Sequence, residues 1–466
     1  MLEKFRAGIG LLKAALAGSS TINYTEGSIA KATFLLAVPM ILEMAMESVF
    51  AIVDIFFVAG LGAEAVATVG LTESVITLLY AVAIGLSMGT TAMVARRIGE
   101  GDERAAAFVA GQSIWLGIFV SVVVGVAGFF YADKILGLMG AEQAVIDMGS
   151  SYTQIMLSGS FTFLFLYLNN AVFRGAGDAS IAMRSLFLAN GINIFLDPCL
   201  IYGVGWFPEM GVTGAAVATN IGRGIGVAYQ LYYLCGGGKR IVLKLQDMAL
   251  GLSVIFSLLR LSVGGIGQFL LATASWVFLM RLVSEYGSDA IAGYTISIRV
   301  LLFVILPAWG LSNAVATLVG QNLGANRIER AERTVWQVGK YCVCYMLLVT
   351  AILLLFAQPI MGLFTTEEVA LAYGVNGLRI MSISFGFMAI GMVTVQAFNG
   401  AGDTLTPTWI NGLCYWLVQI PVAYALAAPF GLGPYGVFWS IFVAEILAGI
   451  VGVYYFRRGK WKTHQV

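Results

Sequence analysis

Charge is what this 466-residue chain has least of: Asp, Glu, Lys and Arg make up 11% of it, against 59% hydrophobic residues. Soluble domains carry about 25% charged residues, so a soluble fold is excluded. The net charge of +1 offers no basic surface, and no nucleic-acid partner is expected. Histidine is almost absent, with His464 alone in the C-terminal tail. The five cysteines, Cys199, Cys235, Cys342, Cys344 and Cys414, form no Cys-x-x-Cys pair, so neither a disulfide framework nor a zinc site is indicated. Also missing are a Gly-rich Lys-Ser/Thr phosphate loop and a His-Glu-x-x-His run. ATP-driven transport within the chain and zinc hydrolysis therefore lack their parts. The run Gly222-x-Gly224-x-Gly226 lies inside an apolar segment and reads as helix packing. No enzymatic activity and no cofactor are expected.

What the chain has is apolar runs long enough to span a bilayer, about 20 residues each. Twelve are centred near residues 45, 82, 119, 160, 192, 223, 269, 306, 346, 386, 417 and 446. The stretch before Lys31 is polar and mixed, so no removable signal peptide is expected. Basic residues fall on one side of the implied topology. Lys4, Arg6, Lys13 and Lys31, then Arg96, Arg97 and Arg104, the linker cations Lys239, Arg240 and Lys244, and the tail cations Arg457, Arg458, Lys460 and Lys462 share it, while the other side holds Lys134, Arg281 and Arg379. By the positive-inside rule both termini are expected in the cytoplasm of a plasma-membrane protein.

The chain also repeats itself at an offset of 225 residues. LGAEAVATVG at 61 aligns with YGSDAIAGYT at 286, AIGLSMGTTAMVARRIGEGDERA at 83 with AWGLSNAVATLVGQNLGANRIER at 308, and RGAGDAS at 174 with NGAGDTL at 399. Two halves with an even number of spans enter the membrane from the same side, which makes the repeats parallel and the class that of a transporter. The expected fold is thus an all-α polytopic membrane protein. Twelve transmembrane helices form two parallel six-helix repeats around a central cavity. The boundaries read as a cytoplasmic segment 1–32, an N-lobe 33–236, a linker 237–250, a C-lobe 251–456 and a tail 457–466.

The first span, VPMILEMAMESVFAIVDIFFVAG at 38–60, carries Glu43, Glu47 and Asp54. On a helical wheel Glu47 lies about 40° and Asp54 about 20° from Glu43, with Pro39 at about −40°. A charge at mid-bilayer costs about 2.5–3.5 kcal/mol, so this stripe is expected to face an internal, water-reachable cavity. Pro39 can hinge the helix. A second polar set contains Asn190, Asn193 and Asp197, and the sixth span adds Thr219, Asn220 and Arg223. Such oxygens suit a Na⁺ ion, and equally suit a proton-binding carboxylate with its hydrogen-bond partners. Glu43, Glu47, Asn190 and Asn220 are candidates for the substrate cavity. In the C-lobe, Glu445 and Arg299 are expected to pair.

These residues resemble the multidrug and toxic compound extrusion (MATE) transporters, over about Thr33 to Phe456. The resemblance rests on IVDIFFVAGLG with Pro39 before it, RGAGD, NIFLDPCLIYG and GVTGAAVAT. It implies that Asp54, Asn193, Asp197, Thr219 and Tyr152 line an N-lobe site for the coupling ion, H⁺ or Na⁺. Some members of the family use a glutamate on the seventh helix, where this chain has Gln268. The function implied is antiport of amphipathic organic cations by a monomer in the lipid bilayer. A lipid-linked oligosaccharide flippase and, further off, a passive channel are the alternatives.

Overall fold

The computed structural model describes residues 2–18, 22–236 and 240–464, with side chains from residue 8 onward. The side chains of Lys4 and Arg6, and all of Lys239, lie outside the described residues. The N-lobe consists of α2 (Ile29–Ala59), α3 (Ala63–Gly99), α4 (Glu103–Leu138), α5 (Gln143–Ser158) with α6 (Ser160–Ala176), α7 (Ala179–Tyr202) and α8 (Val212–Gly236). The C-lobe consists of α9 (Leu252–Ser284), α10 (Ser288–Gly324), α11 (Ile328–Gly362), α12 (Glu368–Ser382) with α13 (Phe385–Ala401), α14 (Leu405–Asn411) with α15 (Ile420–Ala427), and α16 (Pro434–Arg457). A π-helical stretch, Gly412–Gln419, joins α14 to α15. Counting each interrupted helix as one column gives the twelve spans that the apolar runs imply. Among the described residues, nine are long and apolar enough to cross a membrane, or ten with the α12–α13 pair, which bends by 57°. The two columns outside that number are α2 and α8.

One element was not expected from the sequence. Residues Leu2–Ala17 form a helix, α1, within the polar segment 1–32 read as cytoplasmic. It packs beside the first turns of α2, and Arg184 donates to the carbonyls of Leu16 and Ala17 at its C-terminal end, each at 2.6 Å. The first span also starts earlier than Thr33, because Ser28 caps α2 by accepting from the Lys31 amide.

The repeat is visible in backbone detail. Non-helical φ/ψ occurs inside α4 at Tyr131 (φ −130°, ψ 17°) and, 225 residues on, inside α11 at Phe356 (φ −114°, ψ 15°). Gly62 and Gly287 (φ 106° and 96°), then Gly177 and Gly402 (φ 92° and 87°), match in the same way. Gly101 (φ 81°) is matched by Asn326 (φ 58°), the one non-glycine with positive φ among the described residues, and asparagine tolerates that region best. Large apolar side chains such as Phe119, Phe130, Phe256 and Leu355 stand more than half exposed. On a soluble surface they would aggregate; here they face lipid.

The lobes meet along the halves of α2, α3, α9 and α10 nearest the termini. Small residues allow it: Gly85 packs on Ile266 and Ser262, and its repeat partner Gly310 packs on Ile41, the partner of Ile266. Among the described residues every hydrogen bond between the lobes lies in that half. The protein is therefore closed on the side carrying its termini.

Candidate functional site

The three acids of α2 sit on the face that meets α6 and α7, as their spacing requires, yet their surroundings differ. Asp54, 9% exposed, is buried in the half of α2 away from the termini. Asp197 on α7 is completely buried. Asn193, one turn before it, donates from Nδ2 to Asp197 Oδ1 at 3.2 Å and to Thr219 Oγ1 on α8 at 3.0 Å. This contact forms because α8 approaches α7 closely: Gly222 leaves no room for a Cβ against the Ala189 carbonyl, with Asn193 beside it. Asp197 Oδ2 and Asn193 Oδ1 are buried with no hydrogen-bond partner. Asp54 and Asp197 lie within electrostatic reach of each other and of Tyr152. The structure thus brings together Asp54, Asn193, Asp197, Thr219 and Tyr152.

Next to this pocket, Arg223 of α8 lies with its guanidinium 5.7 Å from the Phe50 ring and 5.3 Å from the Phe163 ring. It also hydrogen-bonds the Tyr80 hydroxyl and lies in the fields of Glu47 and Asp54. Tyr80, Phe163 and Tyr167 form one aromatic cluster, with centroids 4.4–5.7 Å apart. Glu73 on α3 is within electrostatic reach of Asp54 and Arg223. Neither Glu73 nor the aromatic cluster was singled out from the sequence; a lone acid inside the run LTESVITLLY was the signal available for Glu73.

The expected cavity residues divide. Glu47 is partly exposed and accepts from Asn190 Nδ2 at 3.3 Å. Glu43 is 3% exposed and pairs with Arg174 of α6 at 3.1 Å, with Asn170 donating to the same oxygen. It therefore lines no open space, because α6 covers this part of the stripe. Asn190 is likewise buried, between α7 and α2. Asn220 lies at the α5–α6 break, where its Oδ1 accepts from Thr162 at 3.0 Å and its Nδ2 donates to the Ile155 and Ala216 carbonyls. Pro39 lies within an unbroken α2. Glu445 and Arg299 form no ion pair among the described residues: the carboxylate accepts from the Tyr415 hydroxyl at 3.3 Å, and Arg299 is exposed. No group of three His, Cys, Asp or Glu among the described residues could hold a metal ion, so a bound cation would need the amide and hydroxyl oxygens as well.

The arrangement defines a two-lobed membrane transporter with a polar pocket inside one lobe. The sequence profile of the MatE family matches residues 39–199 and 266–425, once in each lobe, and the chain belongs to that family. It is 29% identical to the probable multidrug resistance protein NorM of Thermotoga maritima, over 92% of this chain and 93% of that one. It is 28% identical to the probable multidrug resistance protein YoeA of Bacillus subtilis, covering 95% and 96%. A solved multidrug resistance MATE family transporter of the MOP superfamily, in an outward-facing conformation, superposes with TM-score 0.87 at 28% identity, over 94% of this chain and 97% of that one.

Proposed function

We propose that the protein exports amphipathic organic cations from the cytoplasm, exchanging them for H⁺ or Na⁺ that enters through the N-lobe pocket of Asp54, Asn193, Asp197, Thr219 and Tyr152. The observation that carries this reading is the pair of orphaned oxygens, Asp197 Oδ2 and Asn193 Oδ1. A buried carboxylate beside a second one is costly until a proton or a cation joins them. The multidrug names of the relatives support the substrate class, and acids outnumber the single buried arginine around the pocket. The side carrying the termini is the cytoplasm, by its excess of Lys and Arg, and the closed cytoplasmic side makes this the outward-facing state.

In the cycle, ion binding joins Asp54 to the Asn193–Asp197–Thr219 group. The rearranged pocket disfavours bound substrate, and the two ligands thereby compete for lobe states. Pro39, whose ring removes one backbone hydrogen bond, is where α2 bends. The Tyr80–Phe163–Tyr167 cluster offers rings to a flat cation, and Glu47 supplies charge. The test is efflux of a fluorescent cation from proteoliposomes under an imposed pH gradient or an imposed Na⁺ gradient, each alone. One gradient is expected to drive efflux in the wild type and not in Asp54→Asn or Asp197→Asn. Full efflux by both variants overturns the reading.

A further inference from the structure

Closure on the terminus side converges on a short stretch of the N-lobe, residues 174–177. Thr317 Oγ1 donates to the Arg174 carbonyl at 3.0 Å, and Gln321 Nε2 to the Gly175 carbonyl at 2.9 Å; both donors belong to α10 of the C-lobe. The Tyr24 hydroxyl donates to the Gly177 carbonyl at 3.1 Å. Burial, with Asp178 nearby, pushes that hydroxyl above its ordinary range, so it stays a neutral donor. Tyr24 in turn belongs to a strap held by the C-lobe, where Arg327 donates to the Thr25 carbonyl at 2.8 Å and Arg330 to the Gly27 carbonyl at 2.9 Å.

The side chain of Arg174 points the other way, into the N-lobe, and meets Glu43. Asn170, which braces Glu43, accepts from Gln230 at 2.6 Å and from Ser185 at 3.2 Å. The second carboxylate oxygen, Glu43 Oε2, is buried with no hydrogen-bond partner. At the equivalent place in the C-lobe, 225 residues on, stand Gln268 and Asn399, which exchange hydrogen bonds of 3.0 and 3.3 Å. The same crossing is thus held by a neutral amide pair in one lobe and an ion pair in the other. The amide pair shows that packing alone does not require charge, and burying an ion pair adds a desolvation cost. The charge has another use.

We propose that the Glu43–Arg174 pair is a proton-operated switch on the terminus-side gate. A proton delivered along α2 by way of Glu47 forms an O–H bond on Glu43; nothing else is broken or oxidised. Arg174 keeps its charge and loses its counter-ion, and relief comes when its guanidinium reaches water. That movement draws the 174–177 carbonyls away from Thr317, Gln321 and Tyr24. The charged and titratable groups facing Glu43 are Arg174 and Tyr167 from α6, and Glu47 on α2 itself. Among the described residues α7, α8 and α10 contribute the neutral Ser185, Gln230 and Thr317 to this region.

The switch rests on proton coupling in the N-lobe, and the test separates the two. Hydrogen–deuterium exchange of the full chain in lipid nanodiscs, without substrate, reads the gate at residues 92–101 and 314–326. Wild-type exchange there, corrected for its intrinsic rate, is expected to quicken between about pH 8 and about pH 5, and Glu43→Gln to exchange about tenfold faster than wild type at pH 8 and to match it at pH 5. Arg174→Gln is expected to quicken it too. The double variant Glu43→Gln with Arg174→Asn copies the C-lobe pair; it is expected to restore protection and to lose the pH response. Wild-type protection in Glu43→Gln at the higher pH, or a pH response that survives in the double variant, overturns the switch. Asp54→Asn keeps the response to Glu43→Gln if the switch is right, whereas normal efflux by Asp54→Asn sinks the coupling pocket and leaves the gate measurement standing.

Discussion

At the scale of single residues, Asn193 is the joint of the pocket, because one amide nitrogen reaches both Asp197 and Thr219. Asn193→Ala leaves the buried Asp197 Oδ1 without that donor, a loss of about 1–3 kcal/mol. We expect gradient-driven efflux to fall at least tenfold, with Thr219→Ala milder, as measured by initial rates in proteoliposomes. Glu47→Gln should weaken binding of a cationic dye and spare a matched neutral dye, read as Kd in detergent at one pH. Equal changes for both dyes would remove Glu47 from charge selection. These residues were legible in the sequence because an acid in an apolar run carries its own cost. Glu43 was half legible: helical spacing set its face, but whether that face meets water or Arg174 depends on where α6 packs. Tyr80, Phe163 and Tyr167 gave no signal, since aromatics in a span look alike whether they touch lipid, core or ligand.

At the scale of elements, the informative features are interruptions. The α5–α6 break lies at Gly159, which has no room for a Cβ because the Asn220 side chain occupies the space. Asn220 also takes the Thr162 hydroxyl and the Ile155 carbonyl, so it acts as a side-chain splint. Asn220→Ala should lower thermal stability by about 1–3 kcal/mol and leave the preference for cationic over neutral dyes unchanged; a changed preference would return Asn220 to the substrate site. Pro39 makes the opposite case. It sits inside a continuous α2, so Pro39→Ala should raise Tm by restoring a helical hydrogen bond while slowing turnover, if bending of α2 is part of the cycle. The spans themselves were legible from apolar run length, including those interrupted here. The interruptions were not, because a broken and an unbroken span have the same composition.

At the scale of the whole molecule, the twofold repeat makes the gate self-complementary. Gly99 at the end of α3 presses on the Gln321 carbonyl, and Gly324 at the end of α10 presses on the Arg96 carbonyl. Residues 99 and 324, like 96 and 321, are 225 apart, so the lobes close by exchanging one contact in both directions. Sequence alignment found the repeat, yet only the packed lobes show that these glycines face each other across the axis. A side chain at either one overfills the closed interface, at about 1–3 kcal/mol, and costs nothing where the lobes are apart. That is a shift of about 5- to 150-fold toward the state open on the terminus side. Gly99→Val and Gly324→Val should therefore lengthen the distance between spin labels placed on the two lobes at that face, and by similar population changes. Gly70→Val, on the same helix with open space around it, should leave the distance distribution unchanged. If Gly99→Val alone moves the labels, the closure is not the symmetric contact seen here, and α3 governs the gate without its repeat partner.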